Sequence, residues 1–162
     1  MSEDISHKDL VCAARRWLFK TCPIVITELA TVGEEPDAIG WQSSGVSILV
    51  ECKASRQDFR RDREKEHRRA CGVGQARYYL TPRNLVSLEE LPKGWGLIEF
   101  DGKRFFRVRS SEVHQAFETH EKTILISVLR RIGKNRPEGV SIHPYFYTTQ
   151  NRATLMLEID EL

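Results

Sequence analysis

Long apolar runs, paired cysteines and a large excess of one charge are all missing from this chain of 162 residues. No window approaches about 18 consecutive apolar residues, the length at which a membrane-spanning helix is considered. The first ten residues hold three acidic side chains and no basic region followed by an apolar run, so a secretory signal peptide is not predicted. These absences predict a soluble, intracellular, cytoplasmic protein with no membrane partner.

The cysteines do not follow the spacing of a zinc site or of a disulfide framework. They number four and are widely separated, at Cys12, Cys22, Cys52 and Cys71. There is no Cys-x-x-Cys pair and no histidine pair at metal-ligand spacing. The cysteines are therefore predicted to be small buried side chains in a reducing compartment.

The charge and the length of the chain bear on its partners and on its number of domains. Charged residues make up 30% of the chain, yet the net charge is only +2, so the overall balance does not by itself indicate a nucleic-acid binder. A chain of 162 residues with 40% hydrophobic content buries one ordinary core. One domain with a terminal extension is the economical organisation.

The stretch from Pro36 to Lys53 has the pattern of a β-hairpin. A short apolar piece leads to a turn at residues 43–45, and an alternating strand follows over residues 46–53. Side chains alternate with period two along a strand, so Glu51 and Lys53 share one face. The side chain of Cys52 is predicted to point to the opposite face.

The hairpin register predicts that two carboxylates meet across the strand pair. If the turn is centred near Ser44, Asp37 lies opposite Glu51 or its immediate neighbour. Like charges at that separation are unfavourable unless a cation lies between them. The candidates are the ammonium of Lys53 and a divalent ion such as magnesium or manganese, which prefers carboxylate, carbonyl and water oxygens. Such a site suits phosphodiester hydrolysis.

The Pro-Asp, spacer, Glu-x-Lys arrangement resembles the PD-(D/E)xK nuclease superfamily. The Ser-Arg-x-Asp-Phe run that begins at Ser55 resembles its MmcB-like DNA-repair branch. The resemblance implies an α/β fold with a restriction-endonuclease-like αβββαβ core, in which helices flank a mixed central sheet. Residues 1–110 are expected to form this core, and residues 111–162 a C-terminal helix and strand extension packed on the same domain.

The resemblance implies a metal-dependent enzyme that hydrolyses DNA phosphodiester bonds, in DNA repair, recombination or the processing of phage and mobile-element DNA. Asp37 and Glu51 would bind magnesium or manganese, with the backbone carbonyl of Cys52 as a further ligand. Lys53 would orient the nucleophile and offset charge on the scissile phosphate. Glu28 would be either a third carboxylate or a solvated residue at a strand end.

Two other interpretations of these residues stay open. The chain is either an enzyme or a catalytically inactive module of the same fold that binds nucleic acid or another protein. Alternatively, Glu51 and Lys53 form a salt bridge on an exposed sheet face, and Asp37 and Glu51 then point to solvent on separate sides.

The segment from Ser55 to Ala70 is the most charged part of the chain and is predicted to be a helix capped by Ser55. Its arginines either contact the phosphates of DNA or belong to a solvent-exposed helix with alternating charges. The candidate nucleic-acid-binding residues are Arg56, Arg60, Arg61 and Arg63, together with Gln75, which the resemblance suggests at the start of the next strand.

The C-terminal third is predicted to contain one long amphipathic helix. Apolar residues recur at three-and-four spacing from Ser110 to Ile132, after a hairpin signal at Asp101-Gly102. In the tail, residues 145–149 are strand-like. The apolar strip at residues 155–157 either packs on the core or forms a homodimer contact.

Overall fold

The computed structural model describes residues 5–29, 35–65, 72–132 and 140–142. These residues form three α-helices, one 3-10 turn and seven strands. The helices are α1 (His7–Leu18), α2 (Arg56–Arg63) and α3 (Glu118–Ile132), and the 3-10 turn spans Leu88–Glu90. The strands are β1 (Ile24–Thr27), β2 (Ala38–Trp41), β3 (Ser47–Cys52), β4 (Ala76–Pro82), β5 (Gly96–Phe100), β6 (Phe105–Arg109) and β7 (Val140–Ile142).

The strands form a single mixed sheet in the order β6-β5-β4-β3-β2-β1-β7. The central pairs β3-β4 and β4-β5 are parallel, and the flanking pairs are antiparallel. Helix α2 lies between β3 and β4 in the chain, as a parallel pair requires a crossover. The α/β class with a mixed sheet was expected from the sequence and is confirmed.

The β2-β3 hairpin has the predicted register. Ala38 lies opposite Val50 and Ile39 lies opposite Leu49, so the same register brings Asp37, just before β2, level with Glu51. Ser47, at the start of β3, is opposite Trp41. The prediction that Asp37 and Glu51 meet across the hairpin is confirmed.

Each face of the sheet is covered by a separate set of helices. Helix α1 packs its apolar stripe on one face, where the core consists mainly of Leu10, Ala14, Leu18, Val50, Cys52, Leu80 and Ile98. Helices α2 and α3 cover the other face, with Phe59, Ile124 and Val128 packed on Leu49, Tyr79, Trp95 and Leu97. Alternation along β3 thus sends Val50 and Cys52 to α1 and Leu49 to the opposite side, as the strand pattern predicted.

Serine side chains cap α1 and α2, and the cap predicted at Ser55 is present. The side chain of Ser6 accepts a hydrogen bond from the backbone N–H of Asp9, and that of Ser55 accepts one from the N–H of Asp58. Helix α2 ends at Arg63, so it is shorter than the predicted helix from Ser55 to Ala70; residues 66–71 lie outside the described residues.

The predicted start of the long helix at Ser110 is wrong. Helix α3 begins at Glu118, and the eight residues before it have no helical structure. Their backbone N–H groups bond to other loops: that of His114 donates to the carbonyl of Gln75, and that of Phe117 donates to the carbonyl of Gly72. Val113, expected on the apolar face, is 89% exposed. These tertiary hydrogen bonds replace the helical ones that the local pattern favoured.

Glu121 anchors α3 to the amino-terminal end of the central strands. Its Oε1 accepts hydrogen bonds from the hydroxyl of Ser47 at 2.7 Å and the N–H of Gly74 at 2.8 Å. Its Oε2 accepts one from the indole of Trp41 at 3.4 Å. The carboxylate is buried and hydrogen-bonded, the condition under which a buried charge is tolerated.

Within the described ranges, no helix is both long and apolar enough to cross a membrane. The hairpin predicted at Asp101-Gly102 is present between β5 and β6, although its loop holds four residues, 101–104, rather than two. The strand-like residues 145–149 and the apolar strip at residues 155–157 lie outside the described residues.

Replacement of Gly74 is expected to destabilise the protein through its left-handed backbone and through a clash with Leu49. Gly45 has the same backbone conformation without the clash and therefore separates the two effects. Gly74 and Gly45 both have φ of +88°, but a Cβ at Gly74 would lie 2.6 Å from the Cβ of Leu49, whereas a Cβ at Gly45 meets nothing within 4 Å. We expect Gly45→Ala to cost about 1 to 2 kcal/mol from backbone strain alone, and Gly74→Ala about 1 to 3 kcal/mol more from the clash. Urea denaturation measures both, and equal losses would contradict the packing argument.

Candidate active site

The candidate site is an ammonium group surrounded by three carboxylates at the carboxyl end of β3. The Nζ of Lys53 lies 3.2 Å from Oε2 of Glu51, 3.4 Å from Oδ2 of Asp37 and 3.4 Å from Oδ1 of Asp62. The side chains of Lys53 and Glu51 are only 7% and 2% exposed. The alternative that Glu51 and Lys53 form a salt bridge on an exposed sheet face is therefore wrong.

Asp37 contacts residues that belong to both sides of the sheet. Its Oδ2 accepts a hydrogen bond from the backbone N–H of Cys52 at 2.8 Å, in addition to the contact with Lys53. Its Oδ1 lies 3.5 Å from Nε2 of His7, at the start of α1. Asp37 is more accessible than Glu51, with its side chain 18% exposed. The carboxylate is thus held by the hairpin on one side and by α1 on the other.

Asp62 is the member of the site that the sequence did not reveal. One of the two interpretations of its segment, a solvent-exposed helix, would leave Asp62 solvated, but its side chain is 2% exposed. Its Oδ2 accepts a hydrogen bond from the hydroxyl of Tyr79 at 2.9 Å, and its Oδ1 contacts the ammonium groups of Lys53 and Lys65. The sequence signal for the burial of Asp62 was Phe59, three residues earlier. Residues at that spacing share a helix face, and an apolar Phe59 indicates that this face is buried.

The three carboxylates keep Lys53 protonated. Burial alone lowers the pKa of Lys53, but attraction to Glu51, Asp37 and Asp62 outweighs this and raises the pKa above its ordinary value. Burial also raises the pKa of Cys52 well above its usual range, with the charges of Asp37 and Glu51 adding to the effect. Cys52 therefore stays a neutral thiol.

Aromatic rings close the inner side of the site. The ring of Tyr79 packs edge-on against Phe59 at 5.0 Å and stacks on Trp95 at 4.7 Å. All three residues are buried. Charges in such a low-dielectric environment interact more strongly than they do in water.

The structure places Glu28 and Cys52 beside the cluster. Glu28 is exposed and adopts a left-handed backbone conformation with φ of 49°, which is uncommon for a residue other than glycine. Its N–H donates to the carbonyl of Asp37 at 3.2 Å. The side chain of Cys52 points into the α1 core, as predicted from the strand alternation.

The four candidate arginines of α2 have different surroundings. Arg56 pairs with Oε1 of Glu90 at 2.6 Å and donates to the carbonyl of Leu85, while Arg63 donates to the backbone carbonyl of Glu90. Arg60 and Arg61 are exposed. Arg60 and Arg61 are therefore the more accessible cations, whereas Arg56 and Arg63 help to attach α2 to the segment before β5.

Gln75 is not brought to the candidate site. It precedes β4 and bonds to Ser47, its side-chain oxygen accepting from the Ser47 N–H at 3.3 Å. Since β3 and β4 are parallel, this is the end of the sheet opposite Glu51 and Lys53. The backbone and side chain of Gln75 instead join the starts of the two strands.

The carboxylates of Asp37 and Glu51 suit a divalent ion in their donor chemistry. Both contact one ammonium, so they converge within reach of a single cation. Magnesium usually takes one or two carboxylates and retains several waters. No group of three or more His, Cys, Asp and Glu side chains with the arrangement of a metal site occurs among the described residues. A divalent ion here would therefore rely on two carboxylates, with a backbone carbonyl and water as its other ligands.

Comparison with known proteins finds a distant structural similarity to a solved protein. No family model and no curated protein matches the chain. A solved protein of unknown function from Silicibacter pomeroyi is similar, with 21% sequence identity and a TM-score of 0.47. The similar region covers 68% of this chain and 82% of that protein.

We expect Lys53→Ala to destabilise the protein strongly, since it leaves three carboxylates facing one another. Breaking a buried ion pair costs about 3 to 5 kcal/mol. Manganese should recover part of the loss by replacing the missing positive charge. Thermal denaturation with and without manganese measures both effects.

Lys122→Ala is the matched control, because Lys122 forms an exposed pair with Glu118 at 3.4 Å. Its melting temperature should stay unchanged within error. A Lys53→Ala protein as stable as wild type would contradict the role of Lys53 as the central cation of the site.

Proposed function

We propose that the protein is a metal-dependent deoxyribonuclease of the PD-(D/E)xK type with a restriction-endonuclease-like core. The observation that supports this most is the convergence of Asp37 and Glu51, from neighbouring strands, on the ammonium of Lys53. The site lies at the carboxyl edge of the parallel strands, where open α/β sheets commonly bind their ligands. Magnesium or manganese is the proposed cofactor and DNA the proposed partner.

Each residue has a chemical role in this proposal. Asp37 and Glu51 hold the divalent ion, with the carbonyl of Cys52 as a further ligand and Glu28 as an outer carboxylate. The bound ion supplies Lewis-acid polarisation of the phosphate and activation of water. Lys53 orients the attacking water and donates to the phosphate oxygen on which negative charge develops.

The basic residues near the site position the DNA. Arg60 and Arg61 are exposed on α2, the helix that follows Lys53 in the chain, and contact phosphates without selecting a sequence. Such an enzyme serves DNA repair, recombination or the processing of foreign DNA in the cytoplasm.

The second candidate function is a catalytically inactive module of the same fold that binds nucleic acid or another protein. The ion pairs of Lys53 favour this candidate, because the ammonium already neutralises the carboxylates without a metal. The burial of Glu51 beside Asp37 favours the enzyme, since a purely structural site has no need for several desolvated carboxylates.

DNA cleavage by the wild type and by Lys53→Ala tests the proposal, at a temperature at which circular dichroism shows that both proteins are folded. Linear duplex, single-stranded and branched DNA are incubated with magnesium, with manganese and with chelator. We expect metal-dependent cutting that chelator abolishes and that Lys53→Ala reduces about 100-fold or more. Glu51→Gln should lose activity similarly, because it removes a charged metal ligand.

Lys122→Ala is the control for these variants, since Lys122 is an exposed lysine on α3 that pairs with Glu118. It should cut at the wild-type rate. DNA binding by the folded wild type with no cutting of any substrate would favour the binding module instead.

Asp62 is expected to act by positioning Lys53. Asp62→Asn keeps the shape but removes the charge that holds the ammonium, so we expect kcat to fall about 10- to 100-fold with KM for DNA unchanged within about twofold. Tyr79→Phe removes only the hydrogen bond to Asp62 and should give a smaller loss in the same direction. Single-turnover kinetics measure both, and an increase in KM alone would contradict a positioning role.

A further inference from the structure

A groove of about 1230 Å³ lies on the α1 face of the sheet, at the carboxyl end of the parallel strands. Its walls are α1 on one side and the ends of β4 and β5 with the loop at residues 101–104 on the other. Arg16, Arg83 and Lys103 contribute cationic side chains to the lining, and Asp9 and Asp101 contribute carboxylates. The nuclease chemistry described above does not use any of these residues.

Two stacked phenylalanine rings support cations along this groove. The rings of Phe100 and Phe105 lie 4.9 Å apart at an angle of 28°. The guanidinium of Arg16 lies 5.5 Å and 5.3 Å from their centroids, and the ammonium of Lys20 lies 5.8 Å from the centroid of Phe105. A cation over a ring is held in place while its N–H groups remain able to donate to an anion.

Arg16 and Lys103 have no carboxylate partner within the part of the chain that the structure describes, whereas Arg83 pairs with Glu99, its Nε lying 3.6 Å from Oε2. Arg16, Lys20 and Lys103 form no salt bridge there. The two acidic residues accept local hydrogen bonds, Asp9 from Ser6 in the cap of α1 and Asp101 from the N–H groups of Arg104 and Lys103, and these bonds lower the pKa of both carboxyls, so both stay ionised. The lining therefore holds three cations and two carboxylates, a small net positive charge that favours an anionic ligand.

The groove begins next to the candidate active site. Ala54, in its lining, directly follows Lys53 in the chain. Ile5, also in the lining, lies two residues before His7, whose ring is 3.5 Å from the carboxylate of Asp37. A chain-like anion along the groove thus reaches the edge of the sheet where the carboxylates converge.

We propose that this groove binds the phosphodiester backbone of a single DNA strand that leads into the site at Lys53. This inference rests on the proposed function, because it assigns a path to the substrate of that site. Arg16 and Lys103 contact phosphates, and Arg16 covers the aromatic rings so that bases do not stack on them. Binding in the groove is therefore independent of sequence and dependent on salt.

The salt dependence of binding tests the groove separately from catalysis. Wild-type protein and variants bind a fluorescein-labelled, mixed-sequence single-stranded oligonucleotide in chelator, which prevents metal-dependent cutting, and anisotropy gives the affinity over a series of salt concentrations. On a single strand, each phosphate that a cation neutralises adds about 0.7 to the magnitude of the slope of log K against log salt. The double variant Arg16→Gln/Lys103→Gln should therefore reduce that magnitude by about 1.4, twice the value for one phosphate.

Two control variants distinguish lost charge from lost structure. Arg16→Lys keeps the positive charge and should retain the wild-type slope. Lys122→Gln removes an exposed cation on α3, which covers the other face of the sheet, and should also leave the slope unchanged. Circular dichroism melting confirms that each variant is folded.

The possible outcomes separate the groove from the nuclease. An unchanged slope in the folded double variant overturns the groove, even if the wild type cuts DNA with metal. A slope reduced only in the double variant, with a wild type that never cuts, supports the groove and rejects the nuclease. Absence of DNA binding by the wild type overturns both.

Discussion

The buried ammonium of Lys53 is the interaction on which the rest of the site depends. Three carboxylates on three separate elements face one point of the structure, and their mutual repulsion is tolerable only with a cation among them. Lys53 supplies that charge in the described structure. The hairpin register, the end of β3 and the docking of α2 must therefore all be correct at once for the fold to be stable.

The same arrangement gives the site its proposed chemistry. Charges removed from water act strongly on any ion or phosphate that enters, and buried aromatic residues, of which Tyr79 bonds to Asp62, cover the inner side. Asp37 contacts both His7 of α1 and Lys53. It thus links α1, which forms one wall of the groove, to the carboxylates around Lys53, and this link is the reason for proposing one substrate for both.

Prediction from the sequence succeeded where neighbouring residues decide the outcome. The turn chemistry and the alternation of residues 46–53 were sufficient to pair Asp37 with Glu51 and to direct Cys52 to the other face. Prediction failed at the start of α3. The apolar spacing from Ser110 favoured a helix, but the backbone groups of His114 and Phe117 found partners in distant loops.

The sequence by itself determined the β2-β3 hairpin, the faces of β3, the cap at Ser55 and the meeting of Asp37 with Glu51, because each depends on local periodicity or on a short turn. Only the tertiary structure decided the role of Asp62, the position of Gln75 and the cationic groove. The packing of α2 on the sheet buried Asp62 against Tyr79, and the parallel β3-β4 pairing sent Gln75 to the far end. Contacts between residues far apart in the chain leave no periodic signal in the sequence, so they become visible only in the folded structure.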